Sequence, residues 1–181
     1  MKTVVTRTAV LTIATVASAV AQSTVHAALQ PSSERKPAAD FNLADASGRI
    51  IPLSKYRGKV VLLNFWATEC GGCKVEIPWF MEFDRRYKSD GLQTVGVSMD
   101  IVFEGLKGPA EGWARVNPFV SERRLKYPIL MADDQVVRTY KVDAMPATYL
   151  IDQKGRIAAT YVGLVNKLDV ETNLKTLLRE H

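Results

Sequence analysis

The chain has 181 residues, of which 47% are hydrophobic and 24% are charged, a composition that supports one globular domain with an apolar core. Its formal net charge of +5 is modest, and the lysines and arginines are interleaved with acids, as on a solvated surface. We therefore expect no nucleic-acid partner.

Residues 1–21 are typical of a secretory signal peptide. Lys2 and Arg7 precede an apolar run over residues 8–21, which ends in the small-residue sequence Ala-Val-Ala. We expect cleavage after residue 21, with a second candidate site after Ala27, and export of the mature chain to the periplasm. Two alternatives stay open: an organelle transit peptide, and an uncleaved membrane anchor, for which the run is shorter than the ~20 residues that span a bilayer.

The rest of the chain divides into a linker and a domain. Residues 22–36 are polar and predict a flexible linker, and residues 37–181 predict one folded domain. In chain order, the first half of the domain predicts a hairpin at 40–43 and 49–53, a buried strand at 60–67, a helix ending near 88 and a strand at 92–98. The second half predicts loops followed by a helix at 111–124, an edge strand at 128–131 and a short helix at 135–140. The domain ends with a hairpin at 147–151 and 156–162 and a last helix capped by Asn166. Strands that alternate with helices predict an α/β fold with a central mixed sheet flanked by helices.

The only two cysteines, Cys70 and Cys73, follow the buried strand and begin the predicted helix. A disulfide that closes so small a loop restricts the unfolded chain little, so the pair indicates chemistry rather than stabilisation. A helix N-terminus favours an anion, and the thiolate is the anion that disulfide exchange requires. We therefore predict that Cys70 is an exposed nucleophile and that Cys73, one turn into the helix, resolves a mixed disulfide.

A metal site is the main alternative for this pair. Zinc usually needs four ligands, and the two histidines, His26 and His181, lie near the ends of the chain. A copper ion would have Met99 or Met145 as further ligands, but no spacing in the sequence requires it. We therefore predict no metal and no bound cofactor, with the cysteine disulfide itself as the redox group.

The sequence Phe-Trp-Ala-Thr-Glu-Cys-Gly-Gly-Cys at residues 65–73, followed by Glu76, resembles the active-site stretch of thioredoxin-like proteins, and in particular of the exported TlpA/ResA-like thiol–disulfide oxidoreductases. The opening residues 40–53 and the sequence Met-Pro-Ala-Thr at 145–148 resemble the same group. The resemblance implies a thioredoxin-like fold with an added N-terminal β-hairpin and a central insertion.

The resemblance also implies a substrate-binding set. Pro146 matches the family's cis-proline, which lies against the disulfide and, with Met145, offers a backbone edge to the substrate. Trp66 and Glu69 precede the cysteine pair and complete the predicted set, although we expect Trp66 to lie in the core and support the site rather than to contact the substrate. Glu69 occupies the position where most relatives have tryptophan.

Glu76 matches an acid that the ResA-like members place near the cysteines, which makes it the third predicted catalytic residue. Its role would be proton exchange with Cys73, provided that burial raises its pKa. Asn64 occupies the position of the buried aspartate of thioredoxins, and this leaves Glu76 as the proton carrier.

The negative charge of Glu69 destabilises a thiolate at Cys70, and no histidine lies between the cysteines to stabilise it, whereas Lys74 and the helix terminus act in the opposite direction. We predict that the first two features dominate and that the chain is a reductant of protein disulfides. The resemblance implies a disulfide-containing substrate, such as apocytochrome c or a copper-insertion protein, and a membrane electron donor. Three other functions stay open: a copper-binding or cytochrome-assembly escort module, a peroxiredoxin-like thiol peroxidase, and a structural domain with an unreactive cysteine pair. The peroxidases need threonine where this chain has Ala67.

Overall fold

The computed structural model describes residues 23–180, which are arranged around a five-stranded sheet in the order β5-β4-β3-β6-β7. The first three strands in that order are parallel to one another, β6 is antiparallel to β3, and β7 is antiparallel to β6. A separate hairpin of β1 and β2 precedes them. The strands are β1 (Asn42–Ala44), β2 (Ile50–Pro52), β3 (Val60–Trp66), β4 (Leu92–Ser98), β5 (Ile129–Met131), β6 (Ala147–Ile151) and β7 (Ile157–Val162).

Helices cover both faces of the sheet, which buries the apolar side chains of its strands. One face packs against α1, α3 and α5, and the other packs against α4 and the hairpin. The helices are α1 (Gly71–Tyr87), α2 (Asp100–Glu104), α3 (Pro109–Arg123), α4 (Asp134–Tyr140) and α5 (Lys167–Arg179). This is the predicted mixed α/β fold, with α2 and α3 as the insertion between β4 and β5.

The central strand β3 determines where the cysteines lie. All seven of its residues are buried, as expected of an apolar strand with a neighbour on each side and a layer on each face. Near its end, Phe65 pairs with Val97 of β4 and with Ala147 of β6. The chain therefore leaves the middle of the sheet at Trp66 and enters α1 a few residues later.

The prediction of a flexible linker at 22–36 is wrong for residues 23–36, which we call the strap. Val25 forms a β-bridge with the loop before α5. Arg35 is only 7% exposed and forms ion pairs with Asp152 and Glu180. A polar composition suggested a solvated segment, but these polar groups have partners far away in the sequence, and they hold the strap against the domain.

The prediction of loops before residue 111 needs a smaller correction. The short helix α2 forms there and ends at Gly105, whose φ of 63° lies in the left-handed region that glycine adopts readily. The predicted signal peptide lies outside the described residues. None of the helices in residues 23–180 is long and apolar enough to cross a membrane.

Candidate active site

The two cysteines form a disulfide at the N-terminus of α1, with their Cα atoms 5.2 Å apart. Cys70 is the N-cap residue, and its Sγ accepts a hydrogen bond of 3.2 Å from the backbone N–H of Cys73. Cys70 is partly exposed, whereas Cys73 has no exposed surface. An incoming thiol or disulfide can therefore reach only the first sulfur, and the free N–H groups of the helix favour negative charge there.

The loop before β6 forms the side of the site opposite the N-terminus of α1, and we call this loop the second wall of the site. The peptide bond between Met145 and Pro146 is cis, as the resemblance implies. A methyl group at Gly72 would lie 3.1 Å from Cδ of Pro146 and 3.9 Å from Cβ of Leu164. The glycine between the cysteines thus lets the proline ring approach α1 closely. Met145 itself is half-buried at the edge of this wall.

Glu76 lies one turn after Cys73 on α1 and has no exposed surface. Neither carboxylate oxygen has a hydrogen-bond partner, and burial raises the pKa of Glu76 to about 8. The backbone N–H of Val165 lies close enough to lower this pKa to a lesser degree. The side chain can therefore hold or release a proton near neutral pH, beside the buried sulfur of Cys73.

Trp66 is a buried core residue and is inaccessible to a substrate, as expected for a residue that supports the site, so it does not belong in the predicted substrate-binding set. It is 0% exposed, and its ring packs against Phe119 of α3 at 5.1 Å between centroids. Side chains alternate between the two faces of β3, and Trp66 lies on the face that α1 and α3 cover. Trp66 therefore packs in the core beneath α1 and supports the helix that carries the cysteines.

Glu69 is exposed beside Cys70, and its carboxylate lies 3.3 Å from Nζ of Lys74. The ammonium group offsets part of the negative charge that Glu69 places near the first sulfur. The effect of Glu69 on a thiolate at Cys70 is therefore reduced by Lys74, as its position in the sequence indicates.

Sequence reasoning missed Asp100, which has no exposed surface and holds the loop between β3 and α1. Its carboxylate accepts hydrogen bonds from the backbone N–H and the hydroxyl of Thr68, and a third from the hydroxyl of Ser98 at 2.9 Å. Arg115 of α3 lies 4.0 Å away. The signal was present as Ser-Met-Asp at the end of β4, because the carboxyl ends of adjacent parallel strands meet at one edge of a sheet.

The methionines considered as copper ligands differ in their positions relative to the cysteine pair. Met99, one of the two methionines considered as copper ligands, is fully buried among residues on the face opposite α1. Within residues 23–180, no group of three or more histidine, cysteine or acidic side chains is arranged to hold a metal ion.

The fold and the site together define a thiol–disulfide oxidoreductase with a thioredoxin-like architecture. Comparison with known proteins gives the same class of protein. Residues 35–160 match the sequence model of the AhpC/TSA family. The chain is 35% identical to the thiol-disulfide oxidoreductase ResA of Geobacillus kaustophilus over 141 residues, which cover 77% of this chain and 75% of that protein. It is 31% identical to ResA of Bacillus subtilis over 144 residues, which cover 79% and 75%.

Solved structures give the same result. A thiol:disulfide interchange protein DsbE from Chlorobium tepidum is 27% identical, with a TM-score of 0.66 and coverage of 86% of this chain and 99% of that one. StoA of Bacillus subtilis, 24% identical with a TM-score of 0.60 over 74% and 95% of the two chains, shares the fold. The chain belongs to the AhpC/TSA family and is one of its ResA-like thiol–disulfide oxidoreductases.

Proposed function

We propose that this chain is an exported reductant of protein disulfides that works in the periplasm and needs no bound cofactor. The observation that carries the proposal is the asymmetry of the cysteine pair. Cys70 is accessible at the helix terminus, whereas Cys73 is sealed beside a carboxyl group whose pKa is about 8. One sulfur is thus suited to attack, and the other is suited to act only after a substrate is attached.

The cycle begins with the reduced chain. The thiolate of Cys70 attacks one sulfur of the substrate disulfide, the substrate S–S bond breaks, and one substrate thiolate leaves. The substrate chain lies along Met145 and Pro146. The carbonyl of Pro146 already accepts a hydrogen bond of 2.8 Å from Gly163, so the main chain of Met145 supplies the edge for the substrate.

The second step releases the substrate. Cys73 gives its proton to the carboxylate of Glu76 and attacks the sulfur of Cys70, and the second substrate thiolate leaves as the Cys70–Cys73 disulfide forms. Two electrons have then passed from the chain to the substrate. A membrane electron donor restores the two thiols and completes the cycle.

The direction of electron transfer and the class of substrate are inferred from different observations. No histidine lies between the cysteines to stabilise a thiolate, and Glu69 adds negative charge at the site, although Lys74 offsets part of it. Both features favour the disulfide form and therefore a reductant. The likeness to proteins named thiol-disulfide oxidoreductase and thiol:disulfide interchange protein supports a protein disulfide as the substrate. Because residues 65–73 resemble the TlpA/ResA-like group, which includes reductases of cytochrome c maturation, we propose apocytochrome c as this substrate, with a copper-insertion protein as the alternative.

A trapping experiment tests the proposal. The Cys73→Ala variant should accumulate mixed disulfides with periplasmic proteins, because the resolving thiol is absent. The adducts should be released by dithiothreitol and should include apocytochrome c. The matched Cys70→Ala variant should trap nothing, since Cys73 is buried. Equal trapping by the two variants, or none by either, would rule out this mechanism, and a midpoint potential near that of the strongest protein oxidants would rule out the direction.

A further inference from the structure

The insertion between β4 and β5 lies against the loop that carries Cys70. Helix α2 begins at Asp100, directly after β4, and Asp100 holds this loop through Thr68. Helix α3 reaches the same end of the sheet, where the ring of Phe119 packs on Trp66. The reaction steps of the two cysteines give no role to these helices, although both contact the structure that positions the first sulfur.

The carboxyl group of Asp100 is a buried anion. Its two oxygens accept hydrogen bonds from the backbone N–H and the hydroxyl of Thr68 and from the hydroxyl of Ser98, so all of these partners donate. Asp100 has no exposed surface. A buried charge is costly unless an opposite charge accompanies it, because the protein interior solvates it poorly. The residue that supplies this opposite charge therefore acts on the loop before Cys70.

Arg115 of α3 supplies the opposite charge. Its Nε lies 4.0 Å from Oδ1 of Asp100, and its Nη2 donates a hydrogen bond of 2.9 Å to Glu104. Within residues 23–180, no other basic side chain lies within 4.0 Å of the Asp100 carboxylate. Asp100 and Glu104 are four residues apart on α2 and share one face of this helix. Arg115 thus bridges both carboxylates of that face.

Close packing of α3 on α2 fixes Arg115 at this position. Gly112 is buried, and a methyl group there would lie 2.7 Å from Cγ1 of Ile101 and 3.0 Å from Cε of Met131. A glycine at this position therefore permits the close approach of the two helices. Arg115 follows Gly112 by three residues on the same face of α3, which places its side chain over α2.

The charged and titratable groups around the Cys70 loop come from the loop itself and from each helix packed against it. They are Glu69, Lys74, Glu76, Asp100, Glu104 and Arg115. The cations among them are Lys74, which already pairs with Glu69, and Arg115. The hydrogen bond to Glu104 raises the pKa of Arg115, and the charges of Glu69 and Asp100 raise it further. Arg115 is therefore the cation that balances the acids of α2.

We propose that Arg115 is a positioning residue for the exchange reaction, which balances the charge of Asp100 and thereby favours the thiolate of Cys70. The inference rests on the proposed role of Cys70 as the attacking group. Without Arg115, the carboxylates of Asp100 and Glu104 would lie unbalanced beside the loop and would oppose negative charge at the first sulfur. The thiolate fraction near neutral pH would fall, and attack on a substrate disulfide would slow with it.

Alkylation of the reduced full-length protein measures this effect, because iodoacetamide reaches Cys70 and not the buried Cys73. Only the thiolate reacts, so the pH profile of the rate reports the ionisation of Cys70. Arg115→Met should slow alkylation near neutral pH by about threefold. The difference should disappear at high pH, where Cys70 is ionised in both proteins. Arg115→Lys should keep most of the wild-type rate, since it keeps the charge.

Arg123→Met is the matched control on the same helix. The guanidinium of Arg123 stacks on Phe119 at 4.6 Å, and in the described part of the chain it has no acid within 4.0 Å. Its pH profile should equal that of the wild type. Glu104→Gln provides a second test of opposite sign, because it removes a negative charge and leaves Arg115 to Asp100 alone. This variant should be alkylated faster than the wild type near neutral pH.

The outcomes separate a charge effect from a loss of structure. Slower alkylation of Arg115→Met that is confined to neutral pH, with a wild-type profile in Arg123→Met, supports the role. A wild-type profile in Arg115→Met, an equal change at every pH, or the same change in Arg123→Met overturns it. Should Arg115→Met fail to fold, unchanged or slower alkylation of Glu104→Gln overturns it. Substrate turnover is not part of the measurement, so failure of the proposed function shows up separately, as lost trapping by Cys73→Ala.

Discussion

The carboxylate of Asp100 binds Thr68 twice, through the backbone N–H at 3.2 Å and through the hydroxyl at 2.5 Å. Thr68 is two residues before Cys70, so this buried anion fixes the loop that carries the first sulfur to the helix. Hydrogen bonds to a charged acceptor are stronger than hydrogen bonds between neutral groups. Asp100 has no exposed surface, so water cannot replace these hydrogen bonds. Asp100 is therefore a positioning residue for Cys70.

Asp100→Asn should lower the free energy of unfolding by about 2–3 kcal/mol, because the amide replaces one of the two acceptor oxygens that Thr68 and Ser98 share with a donor and removes the charge that strengthens the remaining hydrogen bonds. It should also change the rate at which iodoacetamide alkylates Cys70 in the reduced protein. Urea unfolding and alkylation kinetics measure the two effects. Asp90→Asn, at an exposed position after α1, should change neither. An alkylation rate equal to that of the wild type would show that Asp100 only stabilises the fold.

Glu76 should make the protein less stable as the pH rises. Burial raises its pKa from 4.5 to about 8, so between these values the unfolded chain releases a proton that the folded chain keeps. The free energy of unfolding then falls with pH across this range, by at most about 1.4 kcal/mol per pH unit. Below pH 4.5 the side chain is protonated in both states and contributes no pH dependence.

Glu76→Gln should therefore match the wild type near pH 4 and become more stable than it as the pH rises to 8, by a difference on the order of 4 kcal/mol. Denaturant unfolding at several pH values measures this difference. Glu82→Gln is a control on the same helix, since hydrogen bonding to Lys167 lowers the pKa of Glu82. A constant difference between Glu76→Gln and wild type from pH 4 to 9 would contradict the assigned pKa.

The elements of the fold were predictable because their signals are local. The apolar run of β3 and the capping of α5 by Asn166 lie within a few neighbouring residues. The cysteine pair was recognisable for the same reason. Its position between an apolar strand and a helix defines the chemistry without any knowledge of distant contacts.

The missed features depend on partners that are distant in sequence. Arg35 looked like part of a solvated linker, but its partner Asp152 is 117 residues away. Asp100 lies 32 residues from Thr68, and only the adjacency of β3 and β4 brings them together. Composition shows that such groups are polar and gives no indication of what they bind. The burial of Trp66 was predicted, because this residue ends an apolar strand and lies on the same face as Val60 and Leu62.

The strap should contribute to the stability of the folded domain. The amide of Val25 donates a hydrogen bond of 2.7 Å to Leu164, and its carbonyl accepts one of 2.9 Å from Asn166. A chain that begins at Ala28 loses both, and it should be less stable than a chain that begins at Gln22 by about 1–3 kcal/mol. Thermal unfolding of the two purified chains measures the difference.

Of the two predicted cleavage sites, only the one after residue 21 keeps Val25 and its contacts with the loop before α5. Cleavage after Ala27 would remove Val25 from the loop that faces the cysteine pair. Intact mass of the protein recovered from the periplasm distinguishes the two sites. A mass that corresponds to a start at Ala28, together with unchanged stability of the shorter chain, would show that the strap's first residues are dispensable.

The two glycines between the cysteines should respond differently to the same substitution. A methyl group at Gly72 would meet Cδ of Pro146 at 3.1 Å, whereas a methyl group at Gly71 would have nothing within 4 Å. Gly72→Ala must therefore push α1 and the proline loop apart, and small displacements of reacting groups are costly for the rate. We expect kcat/KM for reduction of a protein disulfide to fall about tenfold in Gly72→Ala.

Gly71→Ala provides the matched control, because it adds the same methyl group to the same turn of the helix. It should keep the wild-type kcat/KM, and it should be as stable as the wild type or up to about 1 kcal/mol more stable, since alanine is a better helix former than glycine. The reduction of insulin and denaturant unfolding provide the two measurements. Equal activity of the two variants would mean that contact between Gly72 and Pro146 does not shape the site, and that the substrate edge at Met145 tolerates a wider cleft.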